Sequence, residues 1–261
     1  MTRRHIRVVI AILLIAAIGA FYVYGRSLWF PLFLQIRGER SVADVVAKYG
    51  PAARARLVPY FQRAGVAYPP KRIALLAFKR ENRLALWAQS SNGPWRFIRD
   101  YPIRAASGHA GPKLRQGDYQ VPEGVYRIEH LNPNSNYHMS MKVSYPNDFD
   151  RRMAAHDHRT NLGGDIFIHG KALSIGCLAM GDPAIEELFT LVAQTGHERV
   201  KVIIAPNDLR TGGAIVHPDA PVWVGQLYRI IGAALADFPV WMESGSAIDV
   251  TGRSKAMPLR K

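Results

Sequence analysis

Residues Val8 to Tyr24, VVIAILLIAAIGAFYVY, form an unbroken apolar run with Arg3, Arg4 and Arg7 just ahead of it. A helix made from such a run has no polar face, so it needs protein or lipid on every side. Its 17 residues reach about 26 Å at helical rise, the short end of a membrane span. Three readings follow: an uncleaved transmembrane anchor, a cleaved signal segment, or a buried core helix. Val23-Tyr24-Gly25 is a passable cleavage site, although no Ala-x-Ala follows. The first two readings export the body and keep the arginines in the cytoplasm. No other run nears spanning length, which excludes a multi-span protein.

The net charge of +14 is gathered beside that run. The first 72 residues hold twelve basic and two acidic side chains, so the remaining 189 carry only +4. That distribution argues against a nucleic-acid groove in the body and makes an anionic membrane surface the nearer partner of the basic excess. A disordered chain is excluded as well, because 48% of the residues are hydrophobic. Export makes the cysteine count informative. Cys177 is the single cysteine, so it has no internal disulfide partner and is a candidate reactive thiol.

The element pattern divides the chain into four parts. Residues 1–36 are the anchor or signal segment, with Trp29 to Ile36 resting at a membrane surface. Residues 37–68 are a basic connector of two helices, read as solvated rather than as a binding module. Ser41 caps the first helix with Asp44 three residues on, Gly50-Pro51 breaks it, and the second runs to Gly65. From Pro69-Pro70 the texture turns to strands. IALLAF (73–78) and LALWA (84–88) flank the polar KRENR as a hairpin, and WRFIRDY (95–101), YRIEHL, YHMSMKVSY and DIFIH (165–169) follow. Pro122-Glu123-Gly124 suits a type II turn. RRMAAHDHRTNLGG reads as a solvated loop. Asp182 as N-cap and Pro183 at the first helical position open a helix through Ile185, Leu188, Phe189 and Val192 to Gly196. VKVII (200–204) is a strand, and a helix near 221–236 precedes a polar tail. The sum is a mainly β core with flanking α-helices, the catalytic part spanning 69–206 and a helix and tail spanning 207–261.

The stretch IFIHGKALSIGCLAMGD (166–182) concentrates what a cysteine nucleophile needs. The thiolate is the attacking species, so the thiol needs a base beside it. His169 lies eight residues upstream, at a strand end before a loop that can fold back to Cys177. Gly176 lets a substrate carbonyl approach the backbone, and the adjacent N–H groups suit an oxyanion hole. The competing reading is a buried, inert cysteine that packs as a small hydrophobe.

HGKALSIGCLAM resembles the active-site segment of the YkuD-type L,D-transpeptidase family, in its YafK-like branch. GPKLRQGDYQVPEGVY, NPNSNYHMSMKVSYPNDFD and GDIFIHG resemble the same branch in the same order, so the likeness covers roughly residues 71–205. It implies a YkuD-like β-sandwich or barrel core. Cys177 then matches the nucleophile and His169 the general base. Gly170 matches the residue whose carbonyl orients the imidazole. Ser174 and Gly176 match the Ser and Gly of a Ser-His-Gly-Cys segment. Ile175 stands where the common form has a second His, Ala179 where it often has Arg, and the His-to-Cys spacing is shorter.

The implied reaction is attack by Cys177 on the L-centre carbonyl of a diamino acid in a peptidoglycan stem peptide, expelling D-Ala. An amine then resolves the thioester in transpeptidation. Hydrolysis of the same linkage, releasing a wall-bound lipoprotein, is the alternative. No cofactor is needed, and the setting is the periplasmic face of a bacterial cell envelope. A membrane-anchored wall-binding scaffold with an inert Cys177 is the non-enzymatic alternative.

Lys113 and Arg115, in GPKLRQGD, are candidates to meet substrate carboxylates or to stabilise their turn, and Tyr137 and Ser140 are candidate substrate contacts. His156-x-His158 with His169 and Cys177 has zinc-ligand chemistry and supplies a metallohydrolase alternative, weaker than a solvated loop. His109, His130 and His138 show no partner in sequence.

Overall fold

The structure, a computed structural model, describes residues 3–25, 28–29, 38–91, 93–174, 176–241, 247–248 and 254–255. The apolar run forms most of helix α1 (Arg3–Tyr24). Ile12, Leu14, Ile15 and Ile18 are exposed on it, so α1 is not a buried core helix. Among the described residues no helix is long and apolar enough to cross a membrane. The expected helix is present; the expected span has no support. The stretch expected at a membrane surface lies, from residue 30 onward, outside the described residues.

Helix α2 (Val42–Ala64) opens with the expected capping box between Ser41 and Asp44. It then runs unbroken through Gly50 and Pro51, where the sequence predicts a break. Packing overrides propensity here. Val45, Gly50, Ala53, Leu57 and Phe61 are buried on one face, with Gly50 facing Thr190 of a neighbouring helix. The expected solvated connector is therefore a packed helix.

The strands come next. β1 (Arg72–Phe78) and β2 (Arg83–Gln89) form the expected hairpin, paired from Arg72–Gln89 to Phe78–Arg83. β3 (Arg96–Pro102) adds to β2 with a bulge at Leu86/Trp87. β4 (Gly124–Asn132) and β5 (Ser140–Val143) pair antiparallel. Helix α3 (Asp148–His156) follows, capped by Asn147 and Asp150, where a loop was expected. Then come β6 (Phe167–His169), β7 (Leu178–Ala179), helix α4 (Asp182–Thr195), β8 (Val200–Ala205) and helix α5 (Val224–Leu235). β9 (Val240–Trp241), β10 (Ala247–Ile248) and β11 (Ser254–Lys255) form a small separate antiparallel sheet.

Eight strands make one mixed sheet in the order β3-β2-β1-β8-β4-β5-β6-β7. Of the expected sandwich or barrel, the structure has the barrel-like form, a half-barrel made from one mixed sheet with flanking helices. Its ends meet through a bridge between Ala105, just after β3, and Ala179 of β7: Ala179 N donates to Ala105 O at 3.0 Å. Alternate residues of the central strands face two cores. Ile73, Leu75, Val202 and Ile204 pack with Leu57, Phe61, Leu188 and Phe189 of α2 and α4. Leu76, Phe78, Trp87 and Ile203 pack with Leu227, Ile231 and Leu235 of α5 and with Phe149 of α3. Burial on both faces explains why β1 and β2 read as continuous apolar runs.

Candidate active site

β6 delivers His169 to the end of the sheet, paired with Ser140 on one side and with Ala179 on the other. The imidazole is buried, and its Nδ1 lies 2.6 Å from Gly170 O. A carbonyl only accepts, so Nδ1 carries the proton and Nε2 is left as the acceptor. Glycine is required at 170 by close approach: a Cβ would meet Tyr137 O at 2.7 Å and Asp182 Oδ1 at 2.8 Å. The Tyr137 ring lies 4.6 Å from the imidazole, centroid to centroid. Burial holds the His169 pKa below the usual histidine range, and the Gly170 carbonyl partly offsets that.

Cys177 immediately precedes β7, which runs parallel to β6 with His169 opposite Ala179. The offset of two residues keeps Cys177 and His169 in the same phase of the pleat, with Cα atoms about 8 Å apart by strand spacing and rise. The loop of residues 170–176 therefore brings the thiol and the imidazole onto neighbouring strands. In this resting geometry the thiol donates to Asp165 O at 3.8 Å, and no hydrogen bond joins it to the imidazole among the described residues. Burial pushes the Cys177 pKa up; the Phe167 backbone and the Lys113 charge pull it down, and Asp165 adds to the rise. A lowered histidine beside a raised cysteine rests as a neutral pair, not as thiolate and imidazolium.

The loop around the thiol is held by hydroxyls. Ser174 Oγ accepts from Cys177 N at 3.0 Å and donates to Cys177 O at 2.6 Å. Gly176, at φ 94°, donates its N–H to Ser107 Oγ at 2.6 Å, and Ser107 Oγ donates to Tyr119 O at 2.7 Å. Both N–H groups expected in an oxyanion hole are thus already engaged in the resting state. Ile175 lies outside the described residues.

Lys113 is buried and acts in its turn: Nζ donates to Asp118 Oδ1 at 2.5 Å and to Arg115 O at 2.9 Å. Asp118 also accepts from the Leu114, Arg115 and Gln120 N–H groups, and these bonds hold its pKa below the usual carboxylate range against burial. Arg115 is exposed, and its guanidinium has no ion-pair partner among the described residues. Tyr137 reaches the site through the imidazole, whereas Ser140 is buried in β5 beside β6. His156 pairs with Asp157, and among the described residues no group of three or more His, Cys, Asp or Glu is placed to hold a metal. His138 pairs with Glu186 and His109 stacks on His217; neither joins the thiol.

The sequence reading missed Ser107 and the Asp182 latch. Asp182 is the first residue of α4 and not its cap; Gly181 is the N-cap. Its carboxylate accepts from Lys171 N at 2.9 Å and from Lys171 Nζ at 2.7 Å, fixing the loop that leaves His169. Only the Asp-Pro helix start hinted at the latch. Nothing local marks Ser107, which is 69 residues from the glycine it binds.

Comparison with known proteins adds the following. A family model described as the L,D-transpeptidase catalytic domain (YkuD) matches residues 73–222. The Escherichia coli (strain K12) protein named "Putative L,D-transpeptidase YafK" is 37% identical over 134 residues, which is 49% of this chain and 52% of that protein; its counterpart in Escherichia coli O157:H7 matches to the same extent. The chain thus spans about half the length of the curated relatives it matches. Among solved structures, the helical cell shape determining protein Pgp2 from Campylobacter jejuni aligns with TM-score 0.43 and 22% identity, over 54% of this chain and 50% of that one. L,D-transpeptidase 1 from Mycobacterium tuberculosis aligns with TM-score 0.30 and 12% identity, over 51% and 61%.

Proposed function

The chain belongs to the YkuD family of L,D-transpeptidase catalytic domains, and from that premise we propose that it is a cell-envelope cysteine acyltransferase acting on the stem peptides of peptidoglycan. The observation that carries this reading is the base. His169 Nδ1 is held by Gly170 O, which leaves Nε2 free to accept a proton on the strand beside the chain's single thiol.

Nε2 takes the thiol proton as substrate enters, and the sulfur attacks the carbonyl carbon at the L-centre of the diamino acid. The C–N bond to the terminal D-Ala breaks, and His169 returns the proton to the departing amine. An incoming amine opens the Cys177 thioester and gives a cross-link or an attached protein; water gives hydrolysis instead. The developing oxyanion competes with the Ser107 and Ser174 hydroxyls for the Gly176 and Cys177 N–H groups. The exposed apolar side chains of α1 suit contact with a membrane surface, and Arg3, Arg4 and Arg7 ahead of them favour a body on the periplasmic side.

The test incubates the full chain with diamino-acid tetrapeptide muropeptides and with wall fragments carrying bound lipoprotein peptide, followed by mass spectrometry. Dimers or amine-exchanged stems that vanish in Cys177→Ala are the expected result. Shortened stems or freed peptide without exchange make the enzyme a hydrolase. No Cys177-dependent product from either substrate overturns the reading in favour of a scaffold.

A further inference from the structure

A cleft of about 620 Å³ opens at the start of β1 and β8, away from the thiol. Five cations line it, Lys71, Arg72, Arg127, Arg199 and Lys201, against one carboxylate, Glu198. Lys71 and Arg72 come from the basic first 72 residues, and Arg127, Arg199 and Lys201 join them from the remaining 189, which together sum to only +4. Arg199 leans on Glu198 at 3.3 Å and Lys201 on Asp237 at 3.6 Å. Arg72 lies over the Trp95 ring at 5.7 Å. Lys71 and Arg127 have no ion-pair partner among the described residues. Their charges are exposed and hydrated, so meeting an anion costs little desolvation.

The register fixes where this cleft sits. β1 and β8 run parallel from Ile73–Val200 to Phe78–Ala205. At their far end, Lys79 and Pro206 line another cavity together with Ser107, the residue bonded to Gly176 of the thiol loop. The two openings are about 20 Å apart along the strands. Helix α2 shows how far the cleft lies from the imidazole. Arg40 and Tyr49, at its start, touch Asn134 and His138, in the segment that carries Tyr137 over the imidazole. The chain leaves the other end of α2 at Gly65 and enters the cleft at Lys71. The length of α2, about 34 Å, thus separates the cleft from the end of the helix nearer His169.

We propose that the cleft is a second, noncatalytic site that holds carboxylate-bearing peptide stems of the wall polymer while another stem occupies the site at Cys177. This rests on the proposed action on peptidoglycan. Arginine forks match carboxylates, and several exposed pairs on one polymer add where a single pair is weak.

The experiment sediments the full-length protein with protein-free peptidoglycan and compares wild type with Arg72→Gln/Arg127→Gln/Arg199→Gln. Wild-type binding is expected to weaken with rising salt, and to weaken again on peptidoglycan whose carboxyl groups have been amidated. The triple variant should bind native peptidoglycan on the order of tenfold more weakly, from three exposed pairs. It should turn over a soluble tetrapeptide at the wild-type rate. Equal sedimentation of variant and wild type, or equal binding to amidated and native polymer, overturns the proposal. A parallel sedimentation uses phosphatidylglycerol vesicles, and a defect of the variant confined to these also overturns the proposal and assigns the cleft to lipid instead. Absence of any Cys177-dependent turnover in wild type counts against the catalytic reading alone, because sedimentation reads the cleft independently.

Discussion

His169 and Cys177 are tuned in opposite directions by burial, and the pH behaviour of the site follows. A thiol raised above its ordinary range stays protonated at neutral pH, so alkylation of Cys177 by iodoacetamide should still be climbing beyond about pH 8.5, where a free cysteine is half ionised. A plateau at or below neutral pH would contradict the neutral pair. The histidine must be uncharged to accept, so the acid limb of activity should fall below about pH 6.5. Tyr137→Ala opens the imidazole to water, relieves the burial that depresses its pKa, and should move that limb to higher pH. Gly170→Ala drives a methyl into Tyr137 O and Asp182 Oδ1 and should cost about 1–3 kcal/mol of stability along with most of the activity. The proposed nucleophile and base, Cys177 and His169, could be picked out because they share one short motif. Ser107 and the Asp182–Lys171 latch were not, because tertiary contact alone brings them to that motif.

At the level of elements, the sequence is clear where an apolar run meets a polar turn, as in β1 and β2, and misleads where packing overrules local propensity. Gly50-Pro51 reads as a break, yet α2 continues because Leu57 and Phe61 bury against α4 and Arg56 pairs with the buried Glu187 at 2.6 Å. Leu57→Ala should therefore destabilise the chain by about 2–5 kcal/mol in urea unfolding; a loss under about 0.5 kcal/mol would return α2 to the role of connector. Helix α3 was misread as a loop because its polar sequence hides the Asn147–Asp150 capping box. Burial pushes the Asp150 pKa up to about 6, so between its ordinary value near 4 and that pH the folded chain holds a proton the unfolded chain has lost. Stability should fall as pH rises through that window, by on the order of 2–3 kcal/mol, and Asp150→Asn should remove the slope.

For the whole molecule, the mixed strand order and the Ala105–Ala179 bridge that joins its ends depend on contacts far apart in the chain, and periodicity does not encode them. The charge asymmetry was legible as a sum, but the meeting of Lys71 and Arg72 with Arg127, Arg199 and Lys201 at the start of β1 and β8 needed the register. These features serve a single claim, that Cys177 carries the acyl group between its two partners. The direct measurement is intact-mass spectrometry of the full chain, quenched in acid during turnover of a diamino-acid tetrapeptide muropeptide. The account predicts an adduct on Cys177 that adds the mass of the muropeptide less that of free D-Ala, absent in Cys177→Ala and strongly reduced in His169→Ala. Product formation with no such adduct, or undiminished turnover by Cys177→Ala, would contradict it.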